Sequence, residues 1–503
     1  MSEHENDAWS APSNEAIVLS LVAPAAAGGV KPIASFKPKY TYTIFNDEQI
    51  FGYQDLRVNI QFNASDMRPH FGLNYSKKFK PTGDTEATDL KEVFSEYLPE
   101  VAFQKQKEFT AAVEHTRTDW TPPGKLTSTF RKEDVTYEVW KGNLADPAVK
   151  QLVNRIQVFV PLYIEGGTYI DVDEPESDRW TIFFLYQKRP VAHEPERLSY
   201  VFVGYSTVYR FFLFHIPTPL ASPSRNKSVD QLDFTEEFDL SSLPCRTRIS
   251  QFIVLPPFQQ KGIGSTFYSI LFQEYLNHAP TVEITVEDPN EAFDDMRDLT
   301  DLQFLRRLPE FNALHIDTSL KIDKHGIVPR NIFDKAAAEV VRRTAKIAPR
   351  QFYRVLEMHL MSRLPESVRP GIVDPEAGEA PKGKAVTAKP TKEQEYEYRL
   401  WQLIAKKRVY RHNKELLGQL EMPERIAKLT ETVENVAFDY ARLLDKAERR
   451  FDDGEEEEEE EDDEEDEASD VEAVRTGNKN GKRKADGVAE AEDEEPAIKR
   501  RKA

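Results

Sequence analysis

Arg248-Ile-Ser-Gln-Phe-Ile-Val-Leu-Pro-Pro-Phe-Gln-Gln-Lys-Gly-Ile-Gly264, running on through Ser265 to His278, is the stretch that decides the fold. It opens as an apolar run rich in β-branched residues, the pattern of a buried strand. Pro256-Pro257 ends that strand, because proline donates no ladder hydrogen bond. Gly262 and Gly264 let the following loop approach a ligand closely. Phe267, Ile270 and Leu271 then recur at helical spacing. A strand that hands a backbone-rich loop to a helix N-terminus can cradle phosphate, since the first N–H groups of a helix are unpaired and its dipole favours anions. The cradle is not a Walker loop, which needs Gly, four residues and then Gly-Lys-Ser/Thr. It also lacks the third glycine and the later acidic residue of a dinucleotide fingerprint.

The next strand, Val282-Glu-Ile-Thr-Val-Glu287, alternates apolar and polar residues. Val282, Ile284 and Val286 are expected to face the core, with Glu283, Thr285 and Glu287 on the other face. Asp288-Pro289 stops the strand just after Glu287. Two adjacent carboxylates raise one another's pKa and attract a cation.

Composition bounds the rest. A chain of 503 residues implies two or three domains plus tails. Residues 454–503 hold 21 acidic and 9 basic side chains, so the preceding body carries only about −8 of the formal −20. An acidic body argues against binding nucleic acid on a broad basic face and suits a basic peptide or protein. The single cysteine, Cys245, excludes an internal disulfide and a cysteine-built zinc site, and it reads as a polar-loop residue with no histidine beside it. His215, His278 and the other histidines show no ligand spacing, so no metal is expected. The acidic start and the breaks at Ser20 and Pro24 argue against a signal peptide, and no stretch is long enough to span a membrane.

In chain order, residues 1–14 read as disordered. Residues 15–145 read as an N-terminal α/β domain with strands at Ile17–Val22, Tyr40–Phe45 and Leu56–Phe62 and helices at Asp89–Tyr97 and Glu100–Glu114. Within it, Phe45-Asn-Asp-Glu-Gln-Ile-Phe-Gly-Tyr53 is either a solvated turn or an acidic lip for a cationic peptide. Residues 146–323 form an α/β domain with a mixed sheet. They begin with a helix and include an antiparallel pair, Trp180–Gln187 with Tyr200–Phe214, joined by a charged Lys188–Leu198 turn. The polar segment 217–246 reads as a surface insertion. Residues 324–450 read as a helical domain with a linker at 365–390, and its last helix is patterned by Ile426, Leu429, Val433, Val436 and Leu443. Residues 451–503 form a disordered tail. The thirteen acidic residues Glu455–Glu467 cannot pack, and Lys482–Lys484 with Lys499–Lys502 have the form of a bipartite nuclear localisation signal.

The spacing Gln-x-x-Gly-x-Gly between an apolar strand and a helix resembles the acetyl-CoA loop of the GNAT acetyltransferases. The flanks are more specific. Ile249-Ser-Gln-Phe-Ile-Val-Leu-Pro-Pro-Phe-Gln, Glu283-Ile-Thr-Val-Glu-Asp-Pro-Asn290, Tyr169-Ile-Asp-Val-Asp, Asp178-Arg-Trp180, Val203-Gly-Tyr-Ser-Thr-Val-Tyr209 and Phe51-Gly-Tyr53 resemble the catalytic subunit of type B histone acetyltransferases, over roughly residues 15–320. The 217–246 insertion and the acidic tail depart from the compact family pattern. A lysine ammonium cannot attack a thioester until it loses a proton, so such a site needs a base. The resemblance places that base at Glu287, with Asp288 and Glu165 able to assist or substitute. It implies acetyl-CoA contacts at Phe252, Ile253, Val254, Gln259, Gln260, Lys261, Gly262, Ile263, Gly264, Ser265 and Asn290. Peptide contacts fall at Asp47, Glu48, Gln49, Trp180, Tyr209, Arg210 and Phe211.

The function so implied is direct acetyl transfer to lysines in the N-terminal tail of newly made histone H4. No thiol or serine is placed for a covalent route. A WD40-repeat histone-binding subunit is the implied partner, with no membrane and no direct nucleic acid, in nucleus and cytoplasm. Two alternatives stand beside it: a GNAT acetyltransferase for another basic protein, and a non-catalytic histone carrier that binds through its acidic tail.

Overall fold

The computed structural model describes residues 9–25, 28–83, 85–117, 119–191, 194–213, 242–322, 329, 331–371 and 389–473. It falls into two units, Met1–Leu444 and Asp445–Ala503. Most of the 217–246 insertion, part of the 365–390 linker and both basic clusters of the tail lie outside the described residues.

In the first unit, alternating patterns build two large sheets, beside two two-stranded pairings. Strands β1 (Ile17–Pro24), β2 (Val30–Phe36), β3 (Arg57–Asn63) and β4 (Pro69–Asn74) pair in the order β2-β1-β3-β4, with only β1 and β3 parallel. Strands β5 (Lys125–Lys132), β6 (Val135–Asn143), β7 (Trp180–Val191), β8 (Glu194–Phe212), β9 (Cys245–Val254) and β10 (Thr281–Val286) form a six-stranded sheet in reverse chain order. Every pair is antiparallel except β9 with β10. That one parallel pair needs a crossover, and the helix after the glycine loop supplies it.

The helices that matter for the site and its surroundings are α1 (Gln106–Glu114), α2 (Pro147–Ile156), α3 (Phe159–Tyr163), α4 (Ile263–Asn277), α5 (Glu291–Arg306), α6 (Lys335–Thr344), α7 (Pro349–Ser362), α8 (Lys392–His412) and α9 (Met422–Ala473). Helix α4 buries Phe267, Leu271 and Phe272 and packs on β10 and α5, while α5 packs on α7. The two sheets are tied by polar contacts. Tyr186 donates its hydroxyl to Ser65 O at 3.0 Å, and Arg155 on α2 meets Asp66 at 3.1 Å.

Several sequence expectations change. The sheet that carries the site takes β5 and β6 from the stretch assigned to the N-terminal domain, so the boundary at 145 cuts through one sheet. Lys188–Leu198 is ladder rather than turn, because β7 and β8 keep pairing as far as Val191 with Glu194. Tyr40–Phe45 forms turns, with Ile44 N and Phe45 N both bonded to Thr41 O. Cys245 sits in β9 and is buried beside Thr247 and Thr281, not in a loop. Val282 is 37% exposed at the start of an edge strand, where Thr281 takes the inward place. Helix α5 is additional, its amphipathic signal masked by buried Arg297, Asp298 and Asp301. In the last helix Val433 and Leu443 are buried but Ile426 is exposed. Helix α9 runs through the acidic run to Ala473, consistent with the high helix propensity of glutamate.

One buried group makes the fold sensitive to acid. His359, 4% exposed near the end of α7, packs at a tilt against Phe311 with centroids 4.6 Å apart, and neither ring nitrogen has a hydrogen-bond partner among the described residues. Burial first, then the Arg306 and Arg363 guanidiniums, push its pKa down to about 4. The unfolded chain therefore takes up this proton first as the pH falls. The stability it supplies is complete above the ordinary histidine pKa and is lost between there and about 4. The shift corresponds to roughly 3 kcal/mol. His359→Leu is expected to flatten the acid side of a melting-temperature profile. An unchanged slope would refute the assignment.

Candidate active site

The parallel pair β9–β10 is where the chemistry gathers. Its register runs from Cys245↔Thr281 to Ile249↔Val286, and the last bond is Glu287 N to Ile249 O at 2.9 Å. Asp288 then turns away with φ +32°, a conformation rare for a residue with a Cβ and further disfavoured before proline. Residues Ser250–Val254 of β9 therefore have β8 on one edge and no strand on the other. The strands splay, and unpaired backbone groups face the gap.

The loop at the far end of β9 is built for an anion. Gln259 donates from Nε2 to Val254 O at 2.6 Å and so ties the loop to the open strand. Gln260 and Gly262 both have positive φ, +65° and +70°, which turns the chain sharply into α4. Gly262, the N-cap of α4, supplies no side-chain cap. The hydroxyls of Ser265 and Thr266 both donate to Gly262 O, which pins the turn. A diphosphate fits this arrangement of bare N–H groups. Phe252 packs between Phe267 and Phe293, each 5.1 Å away, while Ile253 and Val254 are buried. Asn290 accepts from Phe293 N at 2.9 Å and so caps α5.

Glu287 opens onto a cavity of about 580 Å³. Among the described residues, Glu165, Asp171, Glu174, Glu287 and Asp288 line it, against one cation, Arg248. Trp180, Tyr209 and Phe211 form an aromatic wall, with ring centroids 4.8 Å and 4.6 Å apart along the series. The Trp180 Nε1–H is buried without a partner among the described residues. Glu287 accepts from Ser250 Oγ at 2.6 Å and lies 3.4 Å from Arg248 Nη1, whose guanidinium covers Phe211 at 4.3 Å. The carboxylate is thus held by two neighbours yet stays about 40% exposed to the cavity.

The candidate residues are not all brought together. Glu165, Trp180, Tyr209, Phe211, Glu287 and Asp288 line this cavity. Arg210 lies between Tyr209 and Phe211, so alternation along β8 turns it to the other face, where it donates to Asp178 O at 3.0 Å. Asp47, Glu48 and Gln49 do not line the cavity. Glu48 accepts from Thr41 N at 3.1 Å and Asn14 at 3.2 Å, and Gln49 pairs with Pro12. Beyond Asp171 and Glu174 on the lining, Arg248 and Ser250 also went unmarked in sequence. Both stand inside the opening stretch on the Glu287 face, and only the β9–β10 register brings them together. Lys132 also went unmarked, and its Nζ comes 3.7 Å from where a Cβ on Gly262 would sit. Among the described residues no group of three His, Cys, Asp or Glu side chains could hold a metal ion, and no helix is long and apolar enough to cross a membrane.

A mixed sheet splayed beside a Gln-x-x-Gly-x-Gly loop, with a carboxylate at the fork, defines an acetyltransferase of the GNAT type. The sequence relatives make this specific. A family model described as "Histone acetyl transferase HAT1 N-terminus" matches residues 9–165, and one described as "Fungal HAT1, C-terminal" matches residues 298–364. The histone acetyltransferase type B catalytic subunit of Neurospora crassa is 52% identical over 97% of this chain and 96% of its own length. That of Gibberella zeae is 50% identical over 88% and 91%, and that of Aspergillus oryzae 38% over 87% and 86%. A solved aminoglycoside acetyltransferase from a soil metagenomic sample overlaps 38% of this chain and 95% of its own, with a TM-score of 0.20 and 14% identity, too slight a likeness to argue from. The chain belongs to the histone acetyltransferase type B catalytic subunit family, and the protein is an enzyme of that class.

Proposed function

We propose that the protein transfers the acetyl group of acetyl-CoA to lysine side chains in the N-terminal tail of newly synthesised histone H4, with Glu287 as general base. The observation that carries the reading is the cavity with five carboxylates and one arginine that ends at the fork between β9 and β10. Such a cavity suits a basic peptide, because it attracts the cation and focuses the field on it. The aromatic wall offers Trp180, Tyr209 and Phe211 to the lysine stem and to neighbouring residues.

Acetyl-CoA would supply an activated thioester carbonyl. The open edge of Ser250–Val254 would hold its pantetheine arm, and the α4 loop its diphosphate. Glu287 accepts a proton from the lysine ammonium, either directly or through one water. The freed amine attacks the carbonyl carbon, a C–N bond forms, and the C–S bond breaks. The leaving sulfur takes up the proton that the nitrogen sheds as the amide forms, giving free CoA thiol. Arg248 and Ser250 hold the Glu287 carboxylate toward the fork, and binding both substrates together makes the attack effectively intramolecular. Asp288 and Glu165 line the same cavity and are the carboxylates available to share the base role.

Mass spectrometry of histone H4 after incubation with the purified protein and acetyl-CoA tests the reading. The expected result is acetylation confined to tail lysines and faster than on other basic tails. Equal rates on unrelated tails would favour the broader acceptor range. An inactive protein that loses its histone affinity when residues 454–503 are removed would favour the carrier. By the same resemblance, a WD40-repeat histone-binding subunit is the proposed partner. The paired basic clusters support shuttling between cytoplasm and nucleus.

A further inference from the structure

We propose that the helical region carries a second ligand site, for a small organic anion with an apolar body, in a cavity walled by α6, α7 and α8. This cavity, about 590 Å³, shares no lining residue with the active-site cavity. Its size is that of a small-molecule pocket. Its floor is apolar, with Ile332 and Phe333 buried and the Tyr353 ring beside them.

Its electrostatics are opposite to those of the active site. Arg350, Lys407 and Arg411 line it, and none of the three has an ion pair or hydrogen bond among the described residues. Lys407 and Arg411 are one helical turn apart on α8 and so project on the same side. Among the described residues the one carboxylate on the lining, Glu357, is already committed. It accepts from Arg408 Nε at 2.8 Å and 2.9 Å and from the Tyr440 hydroxyl at 3.2 Å. Among the described residues the lining therefore carries a surplus of positive charge, in a chain whose net charge is −20.

Two further features agree with an anion there. Helix α7 begins at this cavity with Pro349 at its first position and Ala348 as N-cap, so no side chain caps its first N–H groups. His412, also on the lining, has its pKa lowered by burial and then by Arg350 and Arg408, so a positive field reaches this part of the wall. An unpaired arginine pair at the rim of an apolar bowl recognises a phosphate, sulfonate or carboxylate by charge-assisted hydrogen bonds while the body of the ligand leaves water.

The full-length protein, saturated with CoA to block the active site, is titrated with 1-anilinonaphthalene-8-sulfonate and followed by fluorescence. N-phenyl-1-naphthylamine, which has similar rings and no charge, is the control. The expected result is one saturable sulfonate site that persists in excess CoA, with the neutral probe at least about tenfold weaker. Arg350→Glu with Arg411→Glu is expected to weaken the sulfonate about tenfold to a hundredfold. Both side chains are exposed, so melting temperature and acetyl transfer should not change. Should charge reversal lower the melting temperature, Arg350→Gln with Arg411→Gln gives the same test without it. Equal affinity in the variants, equal binding of the neutral probe, or complete displacement by CoA would each overturn the proposal.

Discussion

Replacing Glu287 with glutamine is expected to lower kcat on a histone H4 tail peptide by about 10²–10⁴-fold, the range for losing a general base. The KM for acetyl-CoA should stay near its wild-type value, because the loop at Gln259–Ser265 is held by its own contacts, Gln259 to Val254 and Ser265 to Gly262. Glutamine fills the same space and can still accept from Ser250, so the fold and the Arg248 position should persist. What it cannot do is take the proton. A free lysine has a pKa near 10.4, so the fraction already deprotonated rises about tenfold per pH unit below that value. The residual rate of the variant should climb with pH along that slope, while the wild type should not depend on it as steeply. Unchanged turnover of the variant at neutral pH would remove Glu287 from the mechanism and turn attention to Asp288 and Glu165 in the same cavity.

The strand–loop–helix–strand unit was legible because each part is a local pattern: a β-branched run, a double proline, two glycines, helical spacing. Non-local pairing was not. Nothing in Lys125–Asn143 says that its hairpin extends the central sheet rather than the N-terminal one, since an edge hairpin with mixed polarity fits either. The cavity is likewise assembled from four distant segments, around residues 165–174, 180, 209–211 and 248–251, joined to the fork at 287–288. Alternation could assign a face to Glu287, but only the β9–β10 register sets Arg248 and Ser250 against it. Asp47 and Glu48 stood out by composition, yet Glu48 spends its carboxylate on Thr41 and Asn14. Net charge misled in the other direction, because a body of about −8 hides a cationic bowl built from Arg350, Lys407 and Arg411.

Gly204→Ala should have the largest effect of any single-methyl change near the site. Gly204 lies in β8 opposite Val254, and a Cβ there would sit 2.2 Å from Ile253 O and 3.0 Å from Val254 Cα. Both are backbone atoms, so no side chain can rotate aside. Relief requires β8 and β9 to part, at the end of β9 where Leu255 N bonds to Val203 O at 2.9 Å and Gln259 grips Val254 O. Overpacking of this kind costs about 1–3 kcal/mol where side chains can yield, and more where they cannot. The strand that must move is the one whose free edge faces the fork, so stability and cofactor binding should fall together. The expected result is a lower melting temperature and at least about a tenfold rise in Kd for CoA, measured well below the transition. Gly418→Ala, where a Cβ would meet nothing within 4 Å, should change neither. If Gly204→Ala loses stability but binds CoA with wild-type affinity, the open edge of β9 is not where the cofactor lies. If it melts with the wild type, the β8–β9 contact is looser than its geometry requires.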